Sequence, residues 1–589
     1  MLLSLRSLGA IAVLLLVTAA FADKNTPSEK PNVILVMTDD QGYGDLSCHG
    51  NPILKTPNLD KLQTESVRLT DFHVAPMCTP TRGQLMTGRD AMNNGATFVN
   101  RRTMIREELP TVANIFKDNG YRTGLFGKWH LGDSYPHRPI DRGFDTVIGH
   151  PSWGITSIAD HFGNDYFDDT YSHNGKKEKY KGYCTDVWFA EAKKWIKACQ
   201  EKDEPFFCYI PTNVPHGPHW VNEKYSKLFK GKKCPANFFG MITNLDENVG
   251  KLQEFLKKNG LMENTIFVYL TDNGTVAGEK VFNAGMRGKK CSYYDGGHRV
   301  PCYVRWPNGK LGDPRDIDTL TQVQDILPTL IDFCHLKTPE GTDFNGTSLV
   351  PLLRGQVKPD AKKFTDRMVV IQYGAKPKKF QSTVLWNKWR LVKGKELYQV
   401  DKDPGQKNDV AADHPEIVKK MREHYEQWWA KNEPLAKQKK WIVLGAKEEN
   451  PTMLYASDWQ GDYADNWWNI APGKANGKWN VRVKRPGQYA LTLYRWWPEA
   501  KTPLDAPLVH PSPYAKKAKW KKGKAIPIRM AHLKIGWIDE KKKTVKGADS
   551  ATFFVSLGPG EQTLTAEFLD EDGKPLCGAY FVKIELLDR

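Results

Sequence analysis

The seven residues Asn32-Val-Ile-Leu-Val-Met-Thr38 are largely apolar at consecutive positions, without polar alternation. Such a run reads as a strand buried on both faces, which requires a layered α/β domain. Residues 121–126, 205–210 and 265–270 are further short strands, and 301–306 is another. Amphipathic helices are expected over 56–65, 109–119, 186–200 and 238–259. The last sets Ile242, Leu245, Val249, Leu252 and Leu256 at three- and four-residue steps. This alternation predicts an α/β fold with a largely parallel sheet. Polar clusters follow the strands near Asp39, Lys128, His216 and Asp272. Ligand sites in open α/β sheets gather at the carboxyl ends of strands, so these clusters are expected around one crevice.

Asp39, Asp40, Asp272 and Asn273 are oxygen donors at two strand ends. A hard cation such as Ca²⁺ or Mg²⁺ suits that set, whereas Zn²⁺ would want more His or Cys. Residues 67–74 read as a strand leading into a loop at Cys78, and a helix is expected from there. Pro80 sits early in it, where a missing N–H costs nothing. Arg82 lies in its first turn, and Leu85 and Met86 supply its buried face. A sulfur side chain, a guanidinium and a helix N-terminus then meet at one spot, which suits an oxyanion substrate.

Cys78-Thr-Pro-Thr-Arg82, followed by Leu85-Met-Thr-Gly88, resembles the C-x-P-x-R signature of the type I sulfatases. Gly120-Tyr-Arg-Thr-Gly-Leu-Phe-Gly-Lys-Trp-His130 resembles that family's second signature, with Phe126 bulkier than the usual residue. The resemblance covers roughly residues 30–430 and implies an alkaline-phosphatase-like sheet and sulfuric ester hydrolysis. It further implies that Cys78 is converted to formylglycine by a formylglycine-generating enzyme. Asp39, Asp40, Asp272, Asn273 and the modified residue 78 would hold one Ca²⁺. Arg82 belongs to the same catalytic set, Lys128 would bind the sulfate, and His130 would hold the nucleophile's second oxygen. Asn213-Val-Pro-His216-Gly-Pro resembles the loop whose His contacts the leaving-group oxygen; His219 is a second candidate. In Arg287-Gly-Lys-Lys-Cys-Ser-Tyr-Tyr-Asp-Gly-Gly297, counting back from the glycine pair assigns the catalytic lysine to Lys290. Lys289 and Cys291 replace two glycines there, and Asp295 replaces a Glu.

The chain has 589 residues, more than one hydrophobic core serves. The expected division is a signal peptide over 1–22, a catalytic α/β domain over 30–335 and an α+β subdomain over 336–430. A charged linker over 431–457 and an accessory β-sandwich over 458–589 follow. Strands are expected over 384–392 and 396–400, and a helix over 414–429. No later apolar run is long enough to span a membrane, so an exported protein, periplasmic or extracellular, is expected. Ten cysteines are sparse for this length; Cys184, Cys199, Cys208 and Cys234 lie near enough in sequence to pair. The net charge of +17 favours polyanionic partners. No nucleic-acid-binding signature is present, and the basic clusters at 376–379, 516–524 and 541–543 read as solvated surface.

Two other functions fit parts of the sequence. A phosphomonoester or phosphonate hydrolase shares the fold, but only one metal's worth of ligands is visible. A non-catalytic protein that binds sulfated glycans would follow if Cys78 stays a thiol. The basic surface and the aromatic C-terminal part favour sulfated carbohydrate as the partner. Asn273-Gly-Thr275 is also a glycosylation sequon, though a buried ligand could not serve as one.

Overall fold

The computed structural model describes residues 30–100 and 103–587; the leader expected at 1–22 lies outside them. A ten-stranded mixed sheet organises the N-terminal part. Its order is Arg315–Ile317, Val67–Leu69, Cys302–Arg305, Thr265–Thr271, Asn32–Thr38, Phe206–Pro211, Arg122–Lys128, Thr146–His150, Thr170–His173 and Lys176–Lys179. The five strands from Thr265–Thr271 to Thr146–His150 are mutually parallel.

The central strand shows why its residues had to be apolar throughout. Val33, Leu35 and Met37 enter one core with Leu85, Phe116 and Leu327. Ile34 and Val36 enter the opposite core with Leu59, Ile196, Leu245 and Leu252. Successive strand side chains point to opposite faces, and here both faces carry helices. Cys78–Thr87, Val112–Asp118 and Ile326–Phe333 cover the first face. Pro57–Thr64, Cys184–Glu201 and Ala236–Lys258 cover the second.

Cys302–Arg305 runs antiparallel to Thr265–Thr271. The stretch 67–74, expected as one strand, is two. Val67–Leu69 joins the main sheet and Phe72–His73 pairs with Thr321–Gln322. Asp71 between them turns inward to the buried Arg390, 2.7 Å away, and that ion pair interrupts the strand. Residues 384–392, also expected as one strand, form the hairpin Ser382–Trp386 and Trp389–Val392, with Asn387 left-handed at the turn (φ 51°). With Met368–Gln372 and Glu396–Gln399 they build a four-stranded antiparallel sheet. Helix Pro415–Ala436 packs Met421, Tyr425 and Trp429 against that sheet.

The segment read as a linker carries the end of that helix and the strand Ile442–Leu444, which pairs with Gly477–Val483. Beyond it lie two sheets. Ile442–Leu444, Gly477–Val483, Gly560–Leu569, Met530–Ile535 and Ile538–Lys543 form the path of one; Thr452–Tyr455, Phe581–Leu586, Gly487–Tyr494 and Ser550–Leu557 form the other. Alternate residues of these strands are buried, and Trp459, Trp479, Leu491, Val555, Leu564 and Phe568 share one core.

This β-rich part is seated on the main sheet's loops. Trp497 Nε1 donates to the Asp160 carbonyl at 3.0 Å, Ser512 Oγ to Asp165 at 2.7 Å, and Thr103 Oγ1 to Asp458 at 2.9 Å. The pairing that the sequence left open does not occur: all ten cysteines are free thiols. Cys184, Cys199 and Cys208 pack as small apolar side chains in the second-face core. No helix of the described residues is long and apolar enough to cross a membrane.

Candidate active site

The four polar clusters do meet, at the carboxyl ends of the parallel strands. Asp39 and Asp40 leave Asn32–Thr38, Asp272 and Asn273 leave Thr265–Thr271, Lys128 ends Arg122–Lys128, and His216 follows Phe206–Pro211. Helix Cys78–Thr87 begins among them, with no side chain capping its first N–H groups. That end of the helix is therefore electropositive and donor-rich.

Charges of both signs interlock here. Lys128 Nζ donates to Asp39 Oδ2 at 2.5 Å. Arg82 donates to Asp272 Oδ2 from Nε at 3.1 Å and from Nη2 at 2.8 Å. Lys290 Nζ lies 2.6 Å from Asp40 Oδ1 and 3.6 Å from Cys78 Sγ. The Asp40 backbone N–H donates to Asp272 Oδ1 at 3.2 Å, and Asn273 Nδ2 donates to Asp40 Oδ1 at 2.8 Å. His216 Nε2 is 3.6 Å from Asp40 Oδ2. Single ligand atoms of Asp39, Asp40, Cys78 and His216 lie within 4.8 Å of one another.

Backbone geometry is specialised at the same place. Asp40 (φ 68°), His130 (φ 61°) and Cys291 (φ 70°) all occupy the left-handed region, a strain that persists only where the surroundings enforce it. Two glycines answer close approaches. A Cβ on Gly127 would meet the Pro211 carbonyl oxygen at 2.1 Å, and one on Gly274 the Gly296 oxygen at 1.9 Å. The second contact presses the Asp272-Asn273-Gly274 loop onto Gly296-Gly297, and the Lys290 backbone N–H donates to the Thr275 carbonyl at 3.2 Å just beyond it.

Burial shifts several groups. It raises Asp40, but Lys290 and His216 outweigh it and hold that carboxyl well below its ordinary range. Asp272 is pushed up by burial and then by the Asp39 charge. Burial pushes the Cys78 thiol up to about 12 despite Lys128 and Lys290. It takes His216 down to about 3 and His130 lower than its usual range. The Gly217 carbonyl fixes His216 Nδ1 as a donor (2.7 Å), so a neutral ring presents a bare Nε2 toward Asp40. His130 Nε2 donates to the Val99 carbonyl at 3.2 Å, and its Nδ1 has no hydrogen-bond partner.

Lys289, the neighbour that sequence alone left in competition, pairs with Glu279 at 3.0 Å near the surface. His219 packs against Phe238. Phe126 fits by packing beside Trp195. Asp295 turns away to Arg390, 3.1 Å off. Three residues near the site were not anticipated. His150 ends the strand beside Lys128 and feels the charges of Lys128, Arg82 and His216; the strand-end pattern that marked Lys128 would have found it. Trp153 lies tilted against His216, ring centroids 5.1 Å apart. Tyr463, from the β-rich part, lies within reach of the Lys290 and Cys78 charges. No local pattern announces either of these two.

A family model described as Sulfatase matches residues 31–336, and one described as N-sulphoglucosamine sulphohydrolase, C-terminal, matches 285–431. The chain belongs to the sulfatase family, has its alkaline-phosphatase-like fold, and is a sulfuric ester hydrolase. It is 28% identical over 378 residues to N-acetylgalactosamine-6-sulfatase of Canis lupus familiaris, covering 58% of this chain and 70% of that one. It is 27% identical over 500 residues to the uncharacterized sulfatase YdeN of Escherichia coli (strain K12), covering 68% and 87%. The crystal structure of Ps i-CgsB in complex with k-i-k-neocarrahexaose is similar with TM-score 0.62 and 28% identity, over 69% of this chain and 94% of that one. The family models end at residue 431, so the β-rich part lies beyond both.

Proposed function

We propose that this chain is an exported sulfatase that removes sulfate from sulfated carbohydrate, with formylglycine at position 78 and one bound Ca²⁺. One observation carries the metal part. Asp39 Oδ1 and Asn273 Oδ1 are buried beside Cys78 without a hydrogen-bond partner. A buried carboxylate oxygen left unpaired is costly, and a hard cation would satisfy both. Asp39, Asp40, Asp272, Asn273 and residue 78 would hold it, and it would polarise a sulfate oxygen. An unconverted Cys78 would be a poor nucleophile, since a thiol raised to about 12 by burial supplies almost no thiolate at neutral pH. A hydrated aldehyde would supply an oxygen nucleophile there instead.

The remaining residues have separable tasks. Arg82 anchors Asp272, and Lys128 anchors Asp39, so neither carboxylate can swing out of place. The ammonium groups of Lys128 and Lys290 and the helix N-terminus at residue 78 set positive potential where an anionic ester must sit. In a closed site such groups stabilise charge that grows in the transition state. His130, pinned through Nε2, offers Nδ1 as an acceptor for a hydroxyl at residue 78. Lys290, whose ammonium lies 3.6 Å from Cys78 Sγ, gives a proton to the departing alkoxide, and His216, pinned through Nδ1, presents Nε2 as an acceptor beside it. The net change is ester plus water to alcohol plus sulfate.

The names of relatives, an N-acetylgalactosamine-6-sulfatase and a protein crystallised with neocarrahexaose, support a sugar ester as substrate. A phosphonate monoester hydrolase of Agrobacterium radiobacter is similar at 21% identity and TM-score 0.51, a likeness of fold alone, so the phosphate-hydrolase reading ranks below. The other close cluster, His73, Asp295 and His298, already surrounds the Arg390 guanidinium. Mass spectrometry of the peptide containing Cys78, from a host with the converting enzyme, tests the proposal. Formylglycine is expected there, together with sulfate release that Cys78→Ala abolishes while the chain stays folded. An intact thiol with undiminished turnover would sink it.

A further inference from the structure

Between Asp505 and Asp539 the sequence contains no acidic residue, while Lys516, Lys517, Lys519, Lys521, Lys522 and Lys524 crowd into nine positions. All six are exposed. Among the described residues, no hydrogen bond or ion pair engages their ammonium groups. Glu223, whose charge reaches Lys517, is itself bridged to Lys227 at 3.0 Å. A solvated lysine surface commonly has acidic neighbours; this one has been left unneutralised.

The loop that bears them is held firmly. Trp467 Nε1 donates to the Lys521 carbonyl at 2.7 Å, and the Lys524 N–H to the Ala471 carbonyl at 2.9 Å. Trp520, in the middle of the lysines, lies against Trp468 on one side (centroids 4.7 Å) and Trp220 on the other (5.4 Å). Trp220 is four residues beyond His216, on the same loop. Trp468 is 48% exposed, so beside Trp520 it leaves an indole face open to solvent. The segment around Trp468 also reaches the catalytic wall: the Asp465 carbonyl accepts from Trp153 Nε1 at 2.9 Å, and the Trp153 ring lies tilted against His216. The buried Trp153 and Trp220 therefore link the His216 loop to a surface strip of Trp468 and Trp520 on the β-rich part, with lysines alongside.

We infer that this strip binds the sulfated sugar chain outside the reacting ester, with Trp468 and Trp520 against sugar faces and Lys517, Lys519, Lys521 and Lys522 on its other sulfates. The inference rests on the sulfated-carbohydrate reading above. A sulfated polysaccharide alternates anionic groups with apolar C–H faces, and the strip offers ammonium groups beside an exposed indole. Because its backbone is fastened, little ordering entropy is lost on binding. The ligand lies on the alcohol side of the scissile bond, where the rest of a polymer must go.

The test uses the full chain and two variants, Trp468→Ala and the triple Lys519→Gln/Lys521→Gln/Lys522→Gln. Affinity for dextran sulfate, unsulfated dextran and duplex DNA is measured at low and moderate salt, alongside turnover of a small aryl sulfate. The triple variant is expected to bind dextran sulfate roughly tenfold more weakly at low salt and to show a flatter salt dependence. Trp468→Ala should weaken dextran sulfate binding about fivefold but leave DNA binding unchanged. Both should turn over the aryl sulfate within about twofold of the parent, which also shows that they fold. Unchanged dextran sulfate binding in either variant overturns the inference. So does equal loss of DNA and dextran sulfate binding on removing Trp468, because the strip would then be a general polyanion or base-stacking surface. Absence of aryl sulfate turnover in the parent counts against the proposed function, whereas the binding results bear on the strip alone.

Discussion

Lys290 Nζ stands 2.6 Å from Asp40 and 3.6 Å from Cys78 Sγ, bridging a strand-end carboxylate and the first residue of a helix. Lys290→Ala is predicted to cut kcat for a sulfate ester by about 10²–10³, the usual scale for one transition-state charge partner. Lys289→Ala removes only the Glu279 pair at the surface and should change kcat less than about twofold. The reverse order in a steady-state assay would mean that the catalytic lysine has been misplaced by one residue.

Metal removal should affect stability as well as rate. Asp39, Asp40 and Asp272 crowd one buried space, and Asp39 Oδ1 has no partner. Exhaustive chelation is predicted to abolish turnover and lower Tm. Returning Ca²⁺ at about 1,000 times its Kd should restore roughly 4 kcal/mol of stability. Differential scanning calorimetry across a Ca²⁺ titration reads this directly; a Tm indifferent to Ca²⁺ would contradict the assigned ligands.

The seat of the β-rich part should weaken as pH rises. Burial lifts Asp458 from 3.8 to about 6 and Glu449 from 4.5 to about 7; burial and then the Asp458 charge lift Asp133. The folded chain keeps protons that the unfolded chain has released. Their stabilising contribution is complete below about pH 4 and is lost as pH climbs through 6 to 7. Asp458→Asn keeps the acceptor for Thr103 and should flatten Tm against pH over that window, by about 2–4 °C. Parallel profiles for variant and parent would show that Asp458 is ionised in the folded protein.

Arg390 is the cation of a sealed network, 2.7 Å from Asp71 and 3.1 Å from Asp295. It comes from the antiparallel subdomain, and its partners flank the main sheet. Arg390→Met should cost about 3–5 kcal/mol, because two buried carboxylates lose their counter-ion. Urea unfolding of the variant measures this; a loss under 1 kcal/mol would mean that water enters the network.

The α/β core was readable because its central strands, such as Asn32–Thr38 and Phe206–Pro211, are apolar almost throughout and are followed by polar residues. The same logic brought Asp39, Lys128, His216 and Asp272 together. Lys290 could only be counted to, since Lys289 is chemically identical and only the turn of the chain separates them. The split of 67–74 was hidden because Asp71 is turned inward by Arg390, more than 300 residues away in sequence. Tyr463 and Trp153 left no trace for a related reason: packing between distant segments has no period to detect. Whether Cys184, Cys199, Cys208 and Cys234 pair was not legible, because proximity in sequence does not say whether thiols meet face to face.

Asn273 opens an Asn-Gly-Thr triplet, yet its side chain is sealed and donates to Asp40. A secretory host that glycosylates nascent chains encounters this triplet before strand Thr265–Thr271 has taken its place. An oligosaccharide attached at that moment has nowhere to go in the finished molecule, so every modified chain is lost to the folded pool. In such a host, oligosaccharide at Asn273 should therefore be found by mass spectrometry only in the misfolded fraction, whatever happens at the partly exposed triplet Asn345-Gly-Thr347.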